Sequence, residues 1–169
     1  RQVTVGFLIS GEHGIGKSEF CHYLAKKVAE QLGYNPAMYS LHKRADGFFE
    51  PYGGNEFGIF DEWMSLRSDD PLLRDFNLVL SSDPMNFEGA ALDCKVQPCK
   101  LKVVFLTANS HNPDLTNVLT KPAAEAAWDR IYHIRMEDPK CEGRNAPNLH
   151  RKPDFSHCTF TRVDHSNLK

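Results

Sequence analysis

The stretch Val3-Thr4-Val5-Gly6-Phe7-Leu8-Ile9-Ser10-Gly11-Glu12-His13-Gly14-Ile15-Gly16-Lys17-Ser18 decides the architecture. Val3 to Ile9 is an apolar, partly β-branched run that ends on a glycine-rich turn, the pattern of a strand buried on both faces. Gly11 to Ser18 then matches G-x-x-x-x-G-K-[ST] without a gap. Past it, Phe20, Leu24, Val28 and Leu32 recur at intervals of four, with Cys21 and Ala25 widening the stripe, and Gly33 supplies a stop. This predicts an amphipathic helix over Lys17 to Leu32. Strand, glycine loop and helix in direct succession form a phosphate-binding turn. Glycines let successive backbone N–H groups face one anion, and the helix start adds its positive dipole end. In such a turn Lys17 reaches the outer phosphates and the Ser18 hydroxyl ligates Mg²⁺. Glu12, His13 and Ile15 complete the loop, with the Glu12 and His13 side chains expected to point away from the phosphates.

Working outward, the same alternation continues. Met38 to Leu41 reads as a second strand after the Asn35-Pro36 turn, and Phe57 to Asp61 as a third after Tyr52-Gly53-Gly54-Asn55. Asp70-Pro71 looks like a helix cap followed by proline in the first turn. Leu72, Leu73, Phe76, Val79 and Leu80 continue it as a helical stripe. Leu101 to Thr107 reads as the fourth strand, Pro122 to Asp129 as a helix and Ile131 to Met136 as the fifth strand. The expectation is an α/β fold, a parallel five-stranded sheet flanked by helices with right-handed crossovers. The core spans residues 1–137. Residues 138–169, rich in Pro, Asn, His and Lys, form a loop-rich appendix with one edge strand near Cys158 to Val163.

A phosphate loop needs an acidic partner to become a hydrolytic site. Gly58-Ile59-Phe60-Asp61-Glu62 is an apolar strand ending in two carboxylates. Asp61 at the tip suits Mg²⁺ through its water shell, and Glu62 suits polarisation of an attacking water. Trp63 reads as packing beside them. Asn109, at the end of the fourth strand, is placed to hydrogen-bond the γ-phosphate or the lytic water; the alternative is a simple turn former. Arg130 lies between a helix and the fifth strand, where it could serve a neighbouring subunit's nucleotide or make a surface ion pair. Arg135 lies further into the strand and suits a carboxylate partner.

These elements, in this order, resemble the superfamily-3 helicases, and more closely the helicase-like ATPase of picornavirus-like positive-strand RNA viruses. The resemblance runs from about Val5 to Met136. Gly11 to Ser18 is similar to motif A, Gly58 to Glu62 to motif B, Thr107-Ala108-Asn109 to motif C, and Ala127-Trp128-Asp129-Arg130-Ile131-Tyr132 to the arginine-finger motif. Phe49-Glu50-Pro51-Tyr52 and Met85 with Ala91-Leu92-Asp93-Cys94-Lys95 are similar to linking segments of the family. Two positions depart: Asp129 stands where many relatives carry a first arginine, and the acidic pair is Asp-Glu rather than Asp-Asp.

The resemblance implies an AAA+-like core and a Mg²⁺-dependent nucleoside triphosphatase with ATP as substrate. It implies a homo-oligomer, usually a hexameric ring, with Arg130 acting in trans. It also implies single-stranded RNA in a central channel near Lys95, with Lys100 and Lys102 close by. An equal alternative for these lysines is to solubilise the approach to a strand. Other viral replication proteins are the implied partners, and the implied place is host-cell cytoplasm at replication membranes. The family's membrane anchor is an N-terminal amphipathic segment, and nothing like it precedes Val3. The competing function is an ATP-driven protein or membrane remodelling or encapsidation factor that does not unwind duplexes. A small-molecule kinase would need a lid with several arginines, and this sequence offers one good candidate.

Bulk properties set the boundaries. A net charge of −2 argues against general attraction to nucleic acid or anionic membranes, so any polyanion contact must be local. Five cysteines, an odd number with no CxxC, suit free thiols in a reducing compartment. Cys141, His150, His157 and Cys158 do not follow a zinc spacing, and scattered thiols and surface histidines are the simpler reading. Arg1 is not an initiator methionine and no signal peptide follows, which suggests an excised segment.

Overall fold

The computed structural model describes residues 3–42, 45–63, 71–89, 97–110, 114–117 and 119–165, the side chains of 71–75 excepted. Lys43, Arg44, Asp70, the Ala91 to Lys95 segment and the last four residues lie outside this set, so the helix cap read at Asp70 and the RNA contact read at Lys95 do too.

The expected alternation is present. Strand β1 spans Val5–Ser10, helix α1 Lys17–Leu32, β2 Met38–Ser40, β3 Phe57–Phe60, α2 Pro71–Leu80, β4 Asn86–Phe87, β5 Gln97–Pro98, β6 Val103–Ala108, α3 Lys121–Trp128, β7 Ile131–Glu137 and β8 Thr159–Val163. A short 3₁₀ turn covers Leu115–Asn117. No helix among the described residues is long and apolar enough to cross a membrane.

The main sheet has six strands in the order β2-β3-β6-β1-β7-β8. The first five are mutually parallel, as the alternation requires. The expected count of five is corrected to six by β8, which pairs antiparallel along β7 from His133↔Val163 to Glu137↔Thr159. Its residues are the edge strand read within the appendix. The physical reason for joining the sheet is that β7 would otherwise present an unpaired row of backbone donors and acceptors. The small β4–β5 hairpin carries too few residues for any periodicity and was not expected.

Alternation along the parallel strands splits the apolar residues between two cores. Ile9, Phe57, Ile59, Phe105 and Met136 face α1, with Phe20, Cys21, Ala25 and Ala29 opposite them. Leu8, Phe60, Val104 and Leu106 face the other side, where Phe76, Val79 and Leu80 of α2 and Ala124, Ala127 and Trp128 of α3 cover them. Trp63 is buried in that second core against Phe76, ring centroids 4.6 Å apart, which bears out its reading as packing. The segment after β7 seats itself on the first core: Phe155 and Phe160 lie 5.3 and 4.6 Å from the Phe20 ring.

One polar chain crosses the second core. Ser10 Oγ is 2.6 Å from His133 Nε2, and His133 Nδ1 is 2.7 Å from His165 Nε2. The His165 ring also stacks on Trp128 at 3.6 Å. Burial, with the nearby His165 and Arg135 adding to it, pushes the His133 imidazole down from 6.5 to about 4. His165 is lowered for the same leading reason, opposed by Asp164. Above pH 6.5 His133 is neutral folded and unfolded. As pH falls from 6.5 toward 4, the unfolded chain takes up a proton that the native state refuses, so stability declines across that window. The unfolding midpoint should fall by on the order of 5 °C between pH 7.5 and pH 5. A His133→Asn chain should show a flatter dependence in the same thermal scans; an equal slope would remove His133 as the cause.

Candidate active site

The glycines of the Gly11 to Ser18 turn have the backbone that the motif chemistry demands. Gly16 caps α1 at φ 94°, and Gly14 sits at φ 82°. Both values lie in the left-handed region that residues with a side chain rarely occupy. A Cβ on Gly14 would also meet the Cβ of Arg144 at 2.9 Å.

Lys17, at the first position of α1, is only 7% exposed. Its Nζ donates to the carbonyls of Gly11 (3.1 Å) and Glu12 (2.6 Å). Desolvation lowers its pKa, while Asp61 and Glu62 pull it back up. A buried cation near two carboxylates, whose hydrogen bonds go to backbone carbonyls, is poised for a stronger anion.

The acidic tip lies two strands from the loop rather than one, because β6 runs between β1 and β3. At roughly 4.8 Å per strand this opens roughly 10 Å between the two ends, room for a phosphate chain. The ends nevertheless meet through hydroxyls. Ser18 Oγ donates to Asp61 Oδ1 at 2.9 Å, and Thr107 Oγ1 at the β6 tip donates to the same oxygen at 2.6 Å. The Glu62 N–H in turn donates to Thr107 Oγ1 at 2.7 Å. Glu62 itself adopts φ 52°, so the carboxylate after Asp61 is turned by a backbone that costs energy to hold. The donors facing one another at Ser18 and Asp61 are hard oxygens, the set that suits Mg²⁺.

Together these groups line a cleft of about 440 Å³. Of the residues singled out from sequence, His13, Gly14, Gly16, Lys17, Ser18, Asp61, Glu62 and Asn109 border it. Gly11 contributes its carbonyl to Lys17. Glu12 and Ile15 turn to the opposite side of the loop, near Met136 and Asp138, and the Ile15 side chain is buried. For Glu12 that direction is the expected one, whereas His13 faces the cleft. Arg130 is exposed at the other end of the sheet: it precedes Ile131, which pairs with Gly6 at the start of β1. Lys102 is likewise at the N-terminal end of β6, and Lys100 is exposed just before it.

Four cleft residues have no role assigned from sequence: Glu19 in the first turn of α1, Thr107, Arg144 and Arg151. Thr107 is the hinge between Asp61 and Glu62, and its signal was a hydroxyl at the tip of the strand that also carries Asn109. Arg144 and Arg151 come from the segment after β7. Arg151 Nη2 donates to the Gly14 carbonyl at 2.6 Å, and Arg144 Nη1 is 3.4 Å from His13 Nε2. No local pattern announces them, since they reach the loop across more than 130 positions. Among the described residues no group of three or more His, Cys, Asp or Glu is arranged to hold a metal ion. His150 is instead engaged with the buried Asp138 carboxylate at 2.8 and 2.9 Å.

A model of the RNA helicase family matches residues 7–110, more than half of the chain and the run from within β1 through Asn109, and the chain belongs to that family. The genome polyprotein of feline calicivirus is 28% identical over 173 residues, covering 96% of this chain and 9% of that polyprotein. The Polyprotein-FSD of Solenopsis invicta virus 3 is 25% identical over 176 residues, covering 98% and 5%. The genome polyprotein of Human parechovirus 2 (strain Williamson) is 28% identical over 138 residues, covering 80% and 6%. The chain thus spans under a tenth of the length of these relatives.

Proposed function

We propose that this chain is the Mg²⁺-dependent nucleoside triphosphatase of a viral RNA replication motor, with ATP as substrate. The observation that carries the reading is the Ser18–Asp61 hydrogen bond of 2.9 Å in a cleft floored by a desolvated lysine. It joins the glycine turn and the acidic strand tip, which are far apart in sequence, at the point where a metal-bound polyphosphate belongs.

In this reading the loop amides and Lys17 hold the β- and γ-phosphates, and Ser18 with Asp61 holds the ion. When bound, Mg²⁺ offsets charge on the phosphates. Glu62 accepts a proton from the attacking water, and Asn109 orients that water or the γ-phosphate. Thr107 fixes the Asp61 carboxylate and the Glu62 backbone by standing between them. Membership of the RNA helicase family favours single-stranded RNA as the polymer acted on, and Lys95 is the proposed contact. Viral polyproteins as relatives favour other replication proteins as partners and replication membranes of the host cytoplasm as the place. RNA-stimulated turnover that Lys95→Ala removes is the expected result; turnover indifferent to RNA would favour a remodelling or encapsidation factor.

Arg130 needs a second copy to take part. Five strand positions separate it from the loop, roughly 17 Å at 3.3 Å per residue. The proposed assembly is a homo-oligomer, a hexameric ring in the family's manner, with Arg130 facing the neighbour's γ-phosphate. Mixing Arg130→Ala chains with Glu62→Gln chains should recover part of the turnover that each lacks alone, because some interfaces then hold both intact groups. Absence of recovery at every mixing ratio would rule out the shared site.

A further inference from the structure

The cleft has two unlike walls. On one side stand Asp61, Glu62, Thr107 and Asn109; on the other stand His13, Arg144 and Arg151, with Lys17 between. The two arginines of the second wall come from the segment between β7 and β8, and His13 from the glycine turn itself.

Its construction is specific. Asp138, at the end of β7, has a fully buried side chain. Both its oxygens are held by His150 Nε2, and Arg151 Nε lies 3.7 Å from Oδ2. The far end of the same guanidinium donates to the Gly14 carbonyl at 2.6 Å. Arg151 is therefore stretched between a fixed carboxylate and the middle of the glycine turn. Arg144 is different. Its backbone packs directly on Gly14, as the clash of a Cβ there reveals. Yet its guanidinium forms no ion pair among the described residues, and its hydrogen-bonding neighbour is the His13 imidazole, at a long 3.4 Å. An exposed cation docked by its backbone onto a phosphate turn, facing an imidazole rather than a carboxylate, has donors left for a polyanion.

We propose that Arg144 binds the phosphate chain of the nucleotide in its own subunit, and that Arg151 is a positioning residue that holds the Gly14 turn in register for it. This rests on the nucleotide reading above. A guanidinium presents paired donors that match two phosphate oxygens, which a lysine point charge does not. The ligand class is a nucleoside di- or triphosphate recognised through its phosphates. The arginine acting in cis is then Arg144, distinct from Arg130 at the far end of the sheet.

The test is equilibrium binding of a fluorescent ATP analogue, with inorganic tripolyphosphate as competitor, to the unaltered chain and to Arg144→Ala, Arg144→Lys, Arg151→Ala, Arg151→Lys and Lys17→Ala. Arg144→Ala should weaken both ligands by about tenfold, and Arg144→Lys by less. Its unfolding midpoint should not move, because the side chain is exposed. Arg151→Lys, which keeps a donor for the Gly14 carbonyl, should bind more tightly than Arg151→Ala. Unchanged affinity in Arg144→Ala alongside lost binding in Lys17→Ala would overturn this inference and leave the nucleotide reading standing. A loss seen for the ATP analogue but not for tripolyphosphate would overturn the phosphate assignment. Undiminished binding by Lys17→Ala would overturn the nucleotide reading and this inference with it.

Discussion

Alanine at Lys17 should abolish turnover and weaken nucleotide binding sharply. Affinity should fall on the order of 100-fold, because a buried ammonium aimed at phosphate is worth far more than one in water. The side chain is 7% exposed and spans the loop by donating to the Gly11 and Glu12 carbonyls. Truncation therefore removes both the charge and a brace across the turn. Folding should survive: the protein already bears the cost of desolvating this ammonium, as its lowered pKa indicates, so the unfolding midpoint should hold or rise slightly. Binding measured by calorimetry beside a thermal scan separates the two effects. Turnover retained by Lys17→Ala would mean that the chemistry happens elsewhere.

Glutamine at Glu62 should do something different, sparing binding and stopping hydrolysis. Affinity should stay within about threefold while kcat falls by about 10²- to 10⁴-fold, the range for loss of a general base. The contrast with Asp61 comes from the hydrogen bonds. Asp61 Oδ1 accepts from both Ser18 and Thr107, so its carboxylate is engaged between the glycine turn and the β6 tip. Glu62 is tied to Thr107 through its backbone N–H, and the left-handed φ of 52° swings it away from the strand direction. Steady-state turnover with saturating nucleotide would read kcat directly. Parallel losses of affinity and rate would reassign Glu62 to metal or phosphate binding.

The parts legible from sequence are those whose signal is local. The α1 boundaries Lys17 and Leu32 follow from the loop motif at one end and Gly33 at the other, and the structure has them unchanged. The five parallel strands follow from apolar runs bounded by turn residues, with ends shifted by a residue or two where pairing rather than composition sets them. Val103, not Leu101, begins β6 because it is the residue facing Val5 and Phe57 across the ladder. Strand order was not legible, so the insertion of β6 between the loop and the acidic tip came from the structure. The same holds for the basic side of the cleft. Arg144 and Arg151 sit in a stretch without periodicity, and what brings them to Gly14 is the docking of Phe155 and Phe160 on Phe20, a contact between distant segments. Arg130, picked out by its motif, lies far from its own chain's cleft for an equally non-local reason: it stands where β7 begins, not where it ends.

That separation along β1 and β7 gives the molecule a head and a tail. If one copy's guanidinium serves the next copy's pocket, the two faces of the joint are unlike, and no twofold axis can relate them. Copies then add in a single direction, and only the twist per addition decides between a closed circle and an open spiral. A substitution that altered this twist by a few degrees would redirect assembly while leaving every reacting group intact.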